Sequence, residues 1–167
     1  MNAVTNASND AGISTGRFRV VVLPTDQLVP NDYNPNSLTD AEFAELVAEV
    51  RHLGRLPKPV VVRSDGDRWL IVDGEHGWRA AREVGLIDVP CEVVEADTFE
   101  AMRQTFKRNQ HGTHNPVRLG QMFRAMLTMR GGLSMRALAE HASGAGCASA
   151  VERRASFTTA LRISHFM

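Results

Sequence analysis

The segment Ile71-Val72-Asp73-Gly74-Glu75-His76-Gly77-Trp78-Arg79-Ala80-Ala81 concentrates the residues best suited to chemistry. An apolar run passes straight into polar residues and two glycines, then into a helical pattern. Such a junction aims backbone N–H groups and the helix dipole at one spot, which favours a phosphate. Gly74 and Gly77 permit close approach or unusual dihedrals. Arg79 can reach back one turn with a planar fork of donors. His76 donates when charged and accepts when neutral. Asp73 and Glu75 are the carboxylates available for metal or proton chemistry, and would be the catalytic pair of an enzyme. The same residues also make an ordinary strand-to-helix turn, with Asp73 as turn former and Glu75 as a first-turn acid opposite the dipole. Spacing alone leaves both readings open.

The surrounding pattern supplies the elements that would position this turn. Arg17 to Leu23 is β-branched and stops at Pro24, so it reads as a strand. Pro30 to Asn36 (PNDYNPN) is turn chemistry throughout. Thr39 and Glu42 make a capping box for a helix whose apolar face is Phe43, Leu46, Val47, Val50 and Leu53, with Gly54 as its stop. Pro59 to Arg63 and Arg68 to Asp73 read as a hairpin around Ser64-Asp65-Gly66-Asp67. The helix opened by Gly74 ends at Gly85, and Val89 to Val94 is a further strand. This alternation predicts a small α/β (α+β) domain with a mixed sheet over residues 17–96. Beyond Glu95 the pattern is all-helical over 97–167. Asp97 or Thr98 caps one helix, Asn115-Pro116 starts another that ends at Gly131-Gly132, and Ser134 caps a third.

Composition sets the limits. The chain has 167 residues, and its 19 basic and 19 acidic residues cancel. The total hides an asymmetry: residues 1–100 hold 17 acids against 9 bases, and residues 101–167 hold 10 bases against 2 acids. That split argues for two functional parts. No apolar run approaches the roughly 18 residues of a membrane span. Residues 1–16 are small and polar without the basic start and apolar stretch of a signal peptide, so a disordered tail and a cytoplasmic protein are expected. Cys91 and Cys147 form no CxxC spacing and read as reduced structural thiols. His111 and His114, with His76 elsewhere, lack a third convergent ligand, so no metal site is expected.

The stretches PTDQLVPNDYNP (Pro24 to Pro35), GRLPKPVVVR (Gly54 to Arg63) and IVDGEHGWRAAREVGLIDVP, taken together, resemble the ParB/sulfiredoxin-like N-terminal domain over about residues 18–142. The resemblance implies a nucleotide ligand, CTP or ATP with Mg²⁺, and DNA as partner, in partition or transcription regulation; it also allows a homodimer and no membrane partner. It places Gly54 and Arg63 at the nucleobase, and Gly74, Glu75, His76, Gly77, Arg79 and Asn109 at the phosphates. His76 and Gly77 stand where partition proteins carry two arginines. Around Asn109, Arg108 replaces the family's acid and Gly112 its arginine, which weakens Mg²⁺-assisted hydrolysis. A ParB-like nuclease or phosphotransferase using Glu75 and Asp73 is the alternative. The second box holds no cysteine, so sulfinic acid reduction is excluded.

Between Ala101 and Ala139 the chain has seven Lys/Arg and no acid. Phosphates dominate nucleic-acid affinity, so Arg118, Arg124, Arg130 and Arg136 are candidate DNA contacts. Solvated arginines scattered over several helix faces are the plainer reading. Leu133 to Ala142 resembles the first helix of a helix-turn-helix. A recognition helix would then lie in Ser149 to Ile163, with Arg153 and Arg154 as contacts.

Overall fold

The computed structural model describes residues 14–15, 18–109, 113–131 and 137–138. Ten elements follow in order: β1 (Ser14–Thr15), β2 (Phe18–Pro24), β3 (Leu28–Val29), α1 (Asp40–Leu53), β4 (Val60–Asp65), β5 (Arg68–Asp73), α2 (Glu75–Val84), β6 (Asp88–Val93), α3 (Thr98–Arg108) and α4 (Pro116–Met129). The strands form one mixed sheet in the order β1-β2-β6-β4-β5-β3. β4 runs parallel to β6 and antiparallel to β5, and β3 runs parallel to β5. The expected α/β class with a mixed sheet is therefore observed.

The short apolar runs of β4 and β5 have a direct cause: both faces of the sheet are covered. On one face Val60, Val62, Ile71, Val89 and Cys91 pack with Val47 and Val50 of α1 and with Trp78, Ala80 and Ala81 of α2. On the other, Val61 and Val72 meet Ala101 of α3. Phe99, Met102 and Phe106 of α3 then bury against Leu119, Met122, Phe123 and Met126 of α4. Although its sequence reads with the helical half, α3 is thus part of the sheet's packing. Burial pushes the Cys91 thiol up to about 12, so it is inert.

Most boundaries fall where local chemistry placed them. Thr39 and Glu42 form the capping box, and Gly54 closes α1 in the left-handed conformation. Asp97, not Thr98, caps α3, and Asn115 with Pro116 starts α4. Two expectations are corrected. The hairpin loop is only Gly66-Asp67, because Asp65 pairs directly with Arg68 and Gly66 supplies the positive φ of 63°. Helix α4 ends at Met129 with Arg130 as its cap, one residue before the glycines. β1 and β3, two residues each, were too short to show a period. Of the third helix only residues 137–138 are described, in helical conformation with Leu138 buried. The 1–16 tail lies outside the described residues apart from Ser14–Thr15, and so does the recognition-helix region.

Gly74 carries the tightest backbone constraint. Its φ is 91°, and an added Cβ would lie 3.3 Å from the Val60 Cα. Gly85 has a similar φ of 85° with open space around it. Gly85→Ala should therefore cost about 1 kcal/mol from backbone strain alone. Gly74→Ala should cost about 2–3 kcal/mol, since Val60 must also move. Urea unfolding of both variants checks this; equal losses would show that the close approach to Val60 constrains nothing.

Candidate functional site

β5 reaches its end through a bulge. Val61 faces Asp73 while Val62 faces Ile71, so Val72 is the extra residue. Its carbonyl accepts from the buried Thr105 hydroxyl at 2.7 Å, which ties α3 to the sheet beside the turn. Bulges of this kind re-aim the following side chain, here Asp73. Gly74 then acts as N-cap of α2 without any side-chain cap. The first-turn amides of α2 are therefore not satisfied by a capping side chain, the condition that suits an anion.

The loop before α1 supplies the opposite wall. Asn31 donates its amide to the Ile71 carbonyl at 2.8 Å and accepts from the Tyr33 N–H. Asn34 accepts from the Asn36 N–H and donates to a Glu75 carboxylate oxygen at 2.9 Å. Asn36 donates to the Asn109 side-chain oxygen at 2.9 Å. Asn109 in turn donates to the Thr105 carbonyl at 2.8 Å and lies 3.3 Å from an Asp73 carboxylate oxygen. Backbone pairing completes the closure: Ser37 N–H donates to Thr113 O, Asn115 N–H donates to Pro35 O, and Asn36 bridges His114. Residues up to 80 apart in sequence thus meet at one end of β5.

Asp73, Gly74, Glu75, His76, Gly77 and Asn109 come together as the sequence suggested. Gly77 has room for a Cβ at 3.7 Å from Leu56, so only Gly74 is needed for close approach. Three other candidates stand outside this hydrogen-bond network. Gly54 is an exposed cap of α1. Arg63 lies on the α3 side of the sheet, 3.4 Å from the Thr98 hydroxyl. The exposed Arg79 places its guanidinium 4.9 Å over the Phe43 ring. With Phe43, Arg82 and Glu83 it lines an open cavity of about 330 Å³ on the outer side of α2. Asn31, Asn34, Asn36 and Thr105 are the residues that sequence reasoning missed as site residues. Their one visible signal was the density of Asn in PNDYNPN, which turn chemistry explained equally well.

Several buried polar atoms here have no hydrogen-bond partner: Asn36 Oδ1, His76 Nδ1 and Nε2, and His114 Nε2. Burial pushes the His76 imidazole below its ordinary value; Glu75 pulls it up, and Arg79 pushes it further down. The Asn36 backbone lies near enough to favour the charged ring, though not in hydrogen-bonding geometry. Burial lowers His114 as well. Among the described residues no three His, Cys, Asp or Glu converge on a metal position, and His111 lies outside them.

The candidate DNA contacts divide similarly. Arg118 and Arg124 are exposed on α4, and Arg124 has an interaction within the protein. Arg130 lies 4.6 Å over the Phe99 ring and 3.9 Å from Asp97. Arg108 pairs with Glu92 at 2.8 Å and Arg103 with Glu100 at 2.7 Å. Arg136, Arg153 and Arg154 lie outside the described residues. Among the described residues no helix is long and apolar enough to cross a membrane.

Fold and site together define a small α/β domain whose polar side chains converge on one helix N-terminus. The chain belongs to the ParB N-terminal domain family, which matches residues 9–110. It is similar to the probable chromosome-partitioning protein ParB of Coxiella burnetii, 33% identical over 101 residues, or 60% of this chain and 34% of that protein. It is also similar to the probable chromosome 1-partitioning protein ParB of Deinococcus radiodurans, 30% identical over 147 residues, or 87% of this chain and 47% of that protein. Its fold matches the C-terminally truncated chromosome-partitioning protein ParB from Caulobacter crescentus in two complexes. With CTP-γ-S the TM-score is 0.51 at 21% identity, covering 86% of this chain and 77% of that one. With the centromeric parS site it is 0.54 at 20% identity, covering 86% and 71%. The chain spans about a third to a half of the length of these curated relatives.

Because the fold resists the proton, the unfolded chain binds more protons at mildly acidic pH. The stability contributed by neutral His76 and His114 is full above the unfolded value near 6.5 and declines as pH falls through it. NMR titration should show both imidazoles below 6.5. Glu75→Gln should lower His76 further, since it removes the carboxylate that favours the charged ring; an upward move would contradict the assignment.

Proposed function

We propose that this chain binds a nucleotide with a phosphate at the α2 N-terminus, and that exposed arginines of α4 contact DNA. The observation that carries the first half is the uncapped turn Gly74 to Gly77, framed by Asn36 and His76 atoms that are buried and without partners. Oriented backbone amides and the helix dipole stabilise a phosphate there, and His76 can donate to it from either ring nitrogen. The CTP-γ-S complex of the Caulobacter relative supports CTP as the first ligand to test, with ATP beside it. With Mg²⁺, the carboxylates of Asp73 and Glu75 offer hard oxygen donors that a cation would share with phosphate oxygens. Gly54, Arg63 and Arg79 enter this reading as contacts to the rest of the nucleotide.

For DNA, the parS complex of the same relative and the partition relatives support a plasmid- or chromosome-partition role. Arg118, exposed in the first turn of α4, is the leading phosphate contact among the described residues; Arg136, Arg153 and Arg154 extend the same reading beyond them.

Calorimetry of the full chain with CTP and with ATP in Mg²⁺ should show saturable binding; none at millimolar nucleotide would sink the nucleotide half. Duplex DNA should bind with affinity that falls steeply with salt. Arg118→Ala should reduce the slope of log affinity against log salt by about 1. A salt-independent response would remove the DNA half.

A further inference from the structure

The open cavity on the outer side of α2 takes no part in the amide network of the Gly74 turn. Phe43 of α1 lines it together with Arg79, Arg82 and Glu83 of α2. Arg79 and Arg82 are exposed, and their i, i+3 spacing makes them neighbours on the helix surface. Each guanidinium is laid over a ring. Arg79 lies 4.9 Å from the Phe43 centroid and Arg82 5.1 Å from that of Trp78. Trp78 is itself fixed, because its indole N–H donates to the Thr25 carbonyl at 2.9 Å. The two rings therefore orient two planar forks of donors before any ligand arrives. Beyond these ring contacts neither guanidinium has a hydrogen bond or an ion pair among the described residues, although Arg79 also acts on His76 by its charge. Arg103 and Arg108, by contrast, are taken up by Glu100 and Glu92.

Oriented forks with unused donors suit oxyanions, carboxylates above all. The surroundings decide which kind. Glu83 lies in the same cavity, and the neighbouring α1 exposes Asp40, Glu42, Glu45 and Glu49. These acids repel a long polyanion, so a phosphodiester chain is disfavoured. A segment with one or two carboxylates escapes most of that repulsion and can set an apolar side chain against the half-buried Phe43. Arginines and aromatic rings are the anchors that dominate protein–protein binding. Side chains already held by rings also lose less freedom on binding.

We propose that the Phe43–Arg79–Arg82 surface docks a short acidic segment of a partner protein, with its carboxylates on the Arg79 and Arg82 forks and an apolar side chain against Phe43. Arg79 also enters the nucleotide reading above, whereas Arg82 does not, so Arg82 is the residue varied in the test.

The test is NMR titration of the full chain, followed at backbone amides and arginine Nε–H groups. The probe is a short end-capped peptide that alternates leucine with aspartate or glutamate. Its control replaces each acid by the matching amide, and a short thymidine oligonucleotide serves as the polyanion. The acidic peptide should shift Arg79 and Arg82 saturably and bind at least about tenfold tighter than the amide control. Arg82→Glu should weaken it by at least about tenfold. Arg82→Lys, which keeps the charge and loses the fork, should weaken it by a smaller factor. Absence of saturable shifts overturns the proposal, and so does equal binding of the amide control or undiminished binding to Arg82→Glu. Shifts confined to Arg118 and Arg124 of α4 overturn it as well, since they would report charge alone. If the oligonucleotide saturates Arg79 and Arg82 at lower concentration than the acidic peptide, the surface is a nucleic-acid contact and the assignment to a protein partner is wrong.

Discussion

The Asn109 side chain joins three parts of the chain that are remote in sequence. Its oxygen accepts from Asn36 in the loop before α1, and its amide serves the end of α3 through Thr105 and the end of β5 through Asp73. Remove it and Asn36 keeps a part-buried donor without its partner, a loss of about 1 kcal/mol. The loop that carries Asn34 would lose one of its anchors, the others being Asn31 on the Ile71 carbonyl and the backbone pairing of 35–37 with 113–115. This amide network borders the uncapped start of α2. Gly74 completes the arrangement, since its φ of 91° favours glycine and an added Cβ would lie 3.3 Å from the Val60 Cα.

The neutral net charge of the chain takes on a structural meaning at the seam between sheet and helices. In sequence, the stretch after Ala101 is free of acids up to Ala139. In space, acids from the preceding segment meet it: Glu92 pairs with Arg108, Asp97 lies near Arg130 and Glu100 pairs with Arg103. These part-exposed pairs are each worth at most about 1 kcal/mol. Their larger effect is to withdraw three arginines from the basic count of the helical segment. On α4 itself the exposed bases are Arg118 and Arg124.

Local features were legible from sequence because their causes are local. The Thr39–Glu42 capping box, the Asn115-Pro116 start and the left-handed Gly54 and Gly85 each depend on neighbours within a turn. So was the strand-to-helix turn at Gly74, together with Asp73, Glu75 and His76. The far wall of the site was hidden. Asn34 and Asn36 look like turn residues, and act as such through their own Asx hydrogen bonds, but their outer amides bond to Glu75 and Asn109 across 41 and 73 residues. Only the pairing of the 35–37 segment with 113–115 brings them there. Arg79, whose type and spacing suit a phosphate, also lies over the ring of an aromatic neighbour on α1, Phe43, while its charge acts on His76.

On the proposed reading, one composite pocket, made by the start of α2, the Asn-bearing loop and the end of α3, holds the phosphate of a nucleotide. Amide chemical-shift mapping of the full chain with CTP and Mg²⁺ tests it most directly. The account predicts that the largest shifts fall on Glu75, His76 and Gly77, with the side-chain amides of Asn34, Asn36 and Asn109 moving at the same nucleotide concentration. Shifts confined to the Phe43–Arg79–Arg82 surface, or none at millimolar nucleotide, would contradict it.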